Sequence, residues 1–78
     1  MLKTTFVYRG SRYSVREYGQ GYAYDIEDAL TGEGAHLVED DAAIFADRLH
    51  GTAARYPNMP LAHVIALAVE GAPMEYQA

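Results

Sequence analysis

Over residues 4–38 the apolar positions alternate with polar ones, and from residue 42 onward they recur every three or four. The first period fits strands and the second fits helices. Thr4-Thr5-Phe6-Val7-Tyr8 is β-branched and aromatic, which predicts a first strand. Arg9-Gly10-Ser11 predicts a turn. From Arg12 to Tyr18 the alternation puts Tyr13, Val15 and Glu17 on one face. Arg12, Ser14, Arg16 and Tyr18 fall on the other. Gly19-Gln20-Gly21 predicts a hairpin turn, because glycine takes positive φ without steric cost. Tyr22 to Asp28 alternates again: Tyr22, Tyr24 and Ile26 share one face, Ala23, Asp25 and Glu27 the other, and Asp28 lies just beyond. Thr31-Gly32-Glu33-Gly34 predicts a third turn and Ala35 to Val38 a short fourth strand.

The second half reads as two helices. Glu39, Asp40 and Asp41 suit a helix N-terminus. Ala42, Phe45, Ala46, Leu49 and Ala53 follow at helical spacing, with Gly51 predicting an end or a bend. Tyr56-Pro57-Asn58-Met59-Pro60 breaks the chain, with Asn58 placed to cap a second helix and Pro60 in its first turn. Leu61, Val64, Ile65, Ala68 and Val69 make a second apolar stripe, stopped by Gly71-Ala72-Pro73. Residues 74–78 read as a loose tail.

Strands followed by helices predict an α+β fold, a three- to four-stranded antiparallel sheet with two helices packed on one face. The 78 residues predict a single small domain: a strand meander over 1–38, helices over 39–71 and a tail over 72–78. Half the residues are hydrophobic and 22% are charged, a globular balance. Cysteine is absent, so disulfides and thiolate chemistry are excluded. The N-terminus carries no secretory pattern and no stretch is long enough to span a membrane, so a cytoplasmic setting, in a bacterial host cell, is expected.

The net charge of −5 hides a split. Residues 1–16 carry Lys3, Arg9, Arg12 and Arg16 and no acid, whereas residues 17–47 carry nine acids and no base. An acidic domain is a poor general nucleic-acid binder, because phosphate contact needs clustered Lys and Arg. It attracts basic protein partners and stays soluble.

No motif fixes a reaction. His36, His50 and His63 match no zinc spacing, so no metal or cofactor is expected. His50, near a helix end, reads as answering the dipole or solvent. Asp25 and Glu27 share a strand face, but general acid–base work needs a pocket that raises one pKa, and so small a domain has little room for one. A non-enzyme is therefore expected. The glycine pairs lie between strands and cradle no phosphate. Tyr13, Tyr22 and Tyr24 fit the core-facing register. Tyr18 shares its face with Arg16, a pairing common at protein interfaces. Asp25 and Glu27 beside it repel phosphate and favour a protein partner. The candidate partner-binding set is Arg12, Arg16, Tyr18, Asp25, Glu27 and Asp28. The competing reading of this face is a set of cross-strand ion pairs.

Two segments carry a family resemblance: Val15-Arg16-Glu17-Tyr18-Gly19 and Ile26-Glu27-Asp28-Ala29-Leu30-Thr31-Gly32. Their pattern and spacing, over roughly residues 13–51, resemble the small anti-CRISPR proteins of phages and mobile elements, in particular a type I-F inhibitor. The resemblance implies a non-catalytic inhibitor that binds backbone subunits of a guide-RNA surveillance complex and blocks target-DNA hybridisation. Glu27 matches a glutamate that matters for binding in that family. The family's preceding tyrosine position holds Arg16 here, a departure from the pattern, and Tyr18 on the same predicted face is the candidate substitute. The alternative expectation is a bacterial interaction or toxin–antitoxin module that self-associates through a sheet edge or its helices, so the chain is expected as monomer or homodimer.

Overall fold

The alternating segments form an antiparallel meander in the computed structural model, which describes residues 2–76. Strands β1 (Thr4–Arg9), β2 (Tyr13–Tyr18), β3 (Ala23–Asp28) and β4 (Glu33–Val38) pair in sequence order, and β5 (Glu75–Tyr76) returns to pair with β4. Helices α1 (Glu39–Arg55) and α2 (Leu61–Glu70) connect β4 to β5. The architecture is α+β.

Period-two patterning decides which face is buried. Val15, Tyr24, Ile26 and Leu37 point inward from β2, β3 and β4 and pack with Ala42, Phe45 and Leu49 of α1 and Val64, Ile65, Ala68 and Val69 of α2. The Tyr24 and Phe45 rings meet edge to face, 4.7 Å between centroids. Phe6 and Tyr8 of β1 reach this core only in part.

Several elements differ from the sequence expectation. The sheet has five strands, because residues 75 and 76 pair with Glu33 and Gly34. Ala72 and Met74 pack against the core, so the segment before β5 is anchored; residues 77 and 78 lie outside the described residues. β1 runs through Arg9, and the first turn holds Arg12, which therefore precedes β2. Tyr22 is 62% exposed, because it lies in the hairpin turn and the strand's alternation does not extend to it. That turn strings together Gly19, Gln20 and Gly21, all at positive φ, including 57° at the non-glycine Gln20. Asn58 makes no cap. Pro60 occupies the position before α2, and its carbonyl accepts from the His63 and Val64 amides.

α1 runs unbroken through Gly51 to Arg55, and Ala53 is exposed. A Cβ at Gly51 meets nothing within 4 Å, and its φ is not positive. Gly51→Ala is expected to stabilise the domain by about 0.5–1 kcal/mol, read as a higher urea midpoint. No side chain caps the start of α1, and the acids Glu39, Asp40 and Asp41 in its first turn complement the dipole instead.

Candidate functional site

Two polar arrangements stand out, one under the sheet and one on its open face. The inner one is built by a β-bulge. Thr4 opposes Tyr18 and Phe6 opposes Glu17, leaving Thr5 as the extra residue. The Thr5 hydroxyl donates to Glu17 Oε1 at 2.8 Å and accepts from the Gln20 amide at 3.0 Å. The Tyr24 hydroxyl donates to Glu17 Oε2 at 2.6 Å, and His50 Nε2 of α1 stands 3.5 Å from that oxygen. His50 thus answers a buried carboxylate rather than the helix dipole or solvent alone. Burial pushes the Glu17 carboxyl up, but the bonds from Tyr24 and Thr5 and the neighbouring His50 outweigh it and hold it below the usual glutamate value. Burial, then the bond to Glu17, raise Tyr24. This network ties β1, β2, β3 and α1 together.

Among the described residues, no helix lies on the outer sheet face. Register brings Val7, Arg16, Asp25 and His36 into one row across four strands. Asp25 is its centre. The Tyr18 hydroxyl donates to Asp25 Oδ2 at 2.8 Å, and His36 Nδ1 lies 2.5 Å from Asp25 Oδ1. Burial pushes Asp25 up, yet the bonds from His36 and Tyr18 prevail and hold it below the usual aspartate value. The bond to Asp25 raises Tyr18. Glu27, next on the same face, is exposed. Two depressions border these residues. One, about 620 Å³, is lined by His36, Asp41 and Glu75, and the other, about 430 Å³, by Val7, Ser14, Arg16 and Tyr18. Asp25 and Glu27 line both and form the ridge between them.

Four of the six expected site residues, Arg16, Tyr18, Asp25 and Glu27, therefore share the open face. Arg12 and Asp28 do not join them. Asp28 is 5% exposed and turns to the helix side with Tyr24 and Ile26. Arg12 Nε and Nη2 donate to its two carboxylate oxygens at 3.1 and 3.0 Å, and the Leu30 amide donates at 3.0 Å. The Arg12 guanidinium also lies over the Tyr13 ring, 4.8 Å from its centroid. The bidentate bond from Arg12 holds Asp28 below the usual aspartate value, with burial opposing and the Leu30 amide assisting. This pair clamps the β1–β2 turn to the β3–β4 turn. Asp28 shares the parity of Tyr24 and Ile26, a signal that would have placed it inside. His36, which the sequence reading left out of the site, belongs to it; its parity puts it outward, but only strand register sets it beside Asp25.

Among the described residues, no three His, Asp or Glu side chains come together to hold a metal ion, and no helix is long and apolar enough to cross a membrane. Comparison with protein-family models, curated proteins and solved structures finds no match.

Proposed function

We propose that the chain is a non-catalytic inhibitor that docks on another protein through the outer face of its sheet. The observation that carries this reading is the Arg16–Tyr18–Asp25–Glu27–His36 surface, which sits opposite the helices with no element of the described residues over it. Asp25 holds Tyr18 and His36 in place, so part of this surface is ordered before a partner arrives. The outer face sets the cations Arg9 and Arg16 of β1 and β2 beside the acids Asp25 and Glu27 of β3, which suits recognition of a surface of mixed charge.

The resemblance to small anti-CRISPR proteins narrows the target to backbone subunits of a type I guide-RNA surveillance complex. The exposure of Glu27 supports that narrower reading, since a binding glutamate must reach its partner. The half-buried Tyr18, on the same face, supports its role in place of the family's tyrosine.

The test is capture of purified type I complexes by the tagged chain, with target-DNA binding as the second readout. Wild type is expected to bind and to block DNA hybridisation. The folded double variant Glu27→Arg/Tyr18→Ala is expected to lose at least about 2 kcal/mol of binding, roughly thirtyfold in Kd. Unchanged binding by that variant removes the site. Absence of binding by wild type removes the target.

A further inference from the structure

We infer that β1 is a self-association edge, through which two copies join into one continuous ten-stranded sheet. The hydrogen-bond phase of the meander identifies the open groups. The Gly10 amide donates to the Tyr13 carbonyl at 2.9 Å, while Tyr8 opposes Val15 and Phe6 opposes Glu17. Bonded pairs alternate in an antiparallel ladder, so Phe6 and Tyr8 turn their main-chain groups to β2, and Val7 and Arg9 turn theirs outward. The next ladder agrees. The Ala29 amide donates to the Arg12 carbonyl, so Ser14 and Arg16 bond to β3 and leave Val15 and Glu17 for β1.

β1 carries one of the usual defences of an edge strand, the bulge at Thr5, and from Phe6 to Arg9 it lacks the others. It holds no proline, no acid and one charge, Arg9, at its end. Its inward side chains Phe6 and Tyr8 are only half-buried, and Val7 on the outer face is 45% exposed. The opposite edge is defended. β5 has two residues, Pro73 lacks an amide, and β4 leads directly into α1.

The occupant that fits β1 is a second copy of itself. Antiparallel pairing centred on Val7 sets Val7 against Val7 of the second copy. Phe6 then meets Tyr8, and Thr5 meets Arg9, so no like charges face each other and the half-buried aromatic side chains gain cross-strand partners. One open edge and one blunted edge give a closed two-fold dimer rather than a filament. The dimer forms whether or not the sheet face binds a partner.

The test is mass by sedimentation across a concentration series, with circular dichroism to confirm folding. Wild type is expected to pass from monomer to dimer and no further. Val7→Pro blocks the edge without touching the ladder to β2 and is expected to stay monomeric. Val7→Lys and Val7→Glu each place like charges opposite one another and are expected to be monomeric alone. Mixed, they are expected to form a one-to-one dimer, which keeps the test decisive should the proline variant misfold. A wild type that stays monomeric at its highest soluble concentration overturns the inference. So does growth beyond the dimer, a dimer that survives both Val7→Pro and Val7→Lys, or a mixture that does not pair.

Discussion

Tyr24→Ala is expected to remove much of the domain's stability. Tyr24 is fully buried, and truncating a buried aromatic side chain costs about 3–5 kcal/mol in lost burial and residual cavity. The same change removes the edge-to-face contact with Phe45 and strips the hydroxyl from Glu17. A domain of 78 residues has a total stability on the order of 4–12 kcal/mol, so the loss takes much of it. Urea unfolding followed by far-UV circular dichroism measures it. Tyr24→Phe separates the two contributions. It keeps the ring and removes only the donor to a buried carboxylate, at an expected cost of about 1–3 kcal/mol. Equal midpoints for Tyr24→Phe and wild type would mean that Glu17 does not depend on this hydroxyl.

Acid is expected to unfold the protein through Glu17, Asp25 and Asp28. All three are held below their ordinary values in the folded chain. In the unfolded chain they return to about 4. The unfolded state therefore binds more protons as the pH drops, and stability falls with it. The contribution is complete above about pH 4–5 and is lost as the pH falls through the folded-state values. Glu17 is expected to matter most, because its partners come from two other strands and from α1. Glu17→Gln is expected to lower stability at neutral pH by about 1.5–3 kcal/mol, as when a hydrogen bond to a charged group is lost. It is also expected to flatten the acid limb. Chemical denaturation at a series of pH values tests both. A wild-type stability that stays level from about pH 5 to pH 3 contradicts the assignment.

The order of elements and the facing of the outer residues could be read from the pattern alone. Alternation put Arg16, Tyr18, Asp25 and Glu27 on one face and Val15, Glu17, Tyr24 and Ile26 on the other, because successive side chains in a strand point to opposite sides. The same rule misled where a strand ended. Tyr22 keeps the parity of Tyr24 but sits in the turn, and Arg12 keeps the parity of Ser14 but sits before β2. Gly51 predicts an end or a bend of α1, because glycine weakens a helix. Four further residues follow before Tyr56, so the local penalty of about 1 kcal/mol did not decide where the helix stops. β5 has two residues, too few for any period to show.

Local patterning thus determined the α+β class, the antiparallel meander, the two apolar helix stripes and four residues of the candidate site. These depend on near neighbours in the chain, and near neighbours are what a sequence displays. Tertiary structure decided the rest. Register between strands set His36 and Tyr18 on Asp25 and made Glu27 part of a ridge between two depressions. A bulge at Thr5 and the packing of α1 against β3 and β4 brought Thr5, Tyr24 and His50 to Glu17. The strand-to-helix junction placed Glu39 at a φ of 53°, a conformation that costs a non-glycine residue about 1–2 kcal/mol. Arg12 and Asp28 found each other across 16 positions. In each case the partners are far apart in the chain, and only closure of the sheet against its helices fixes the distances between them.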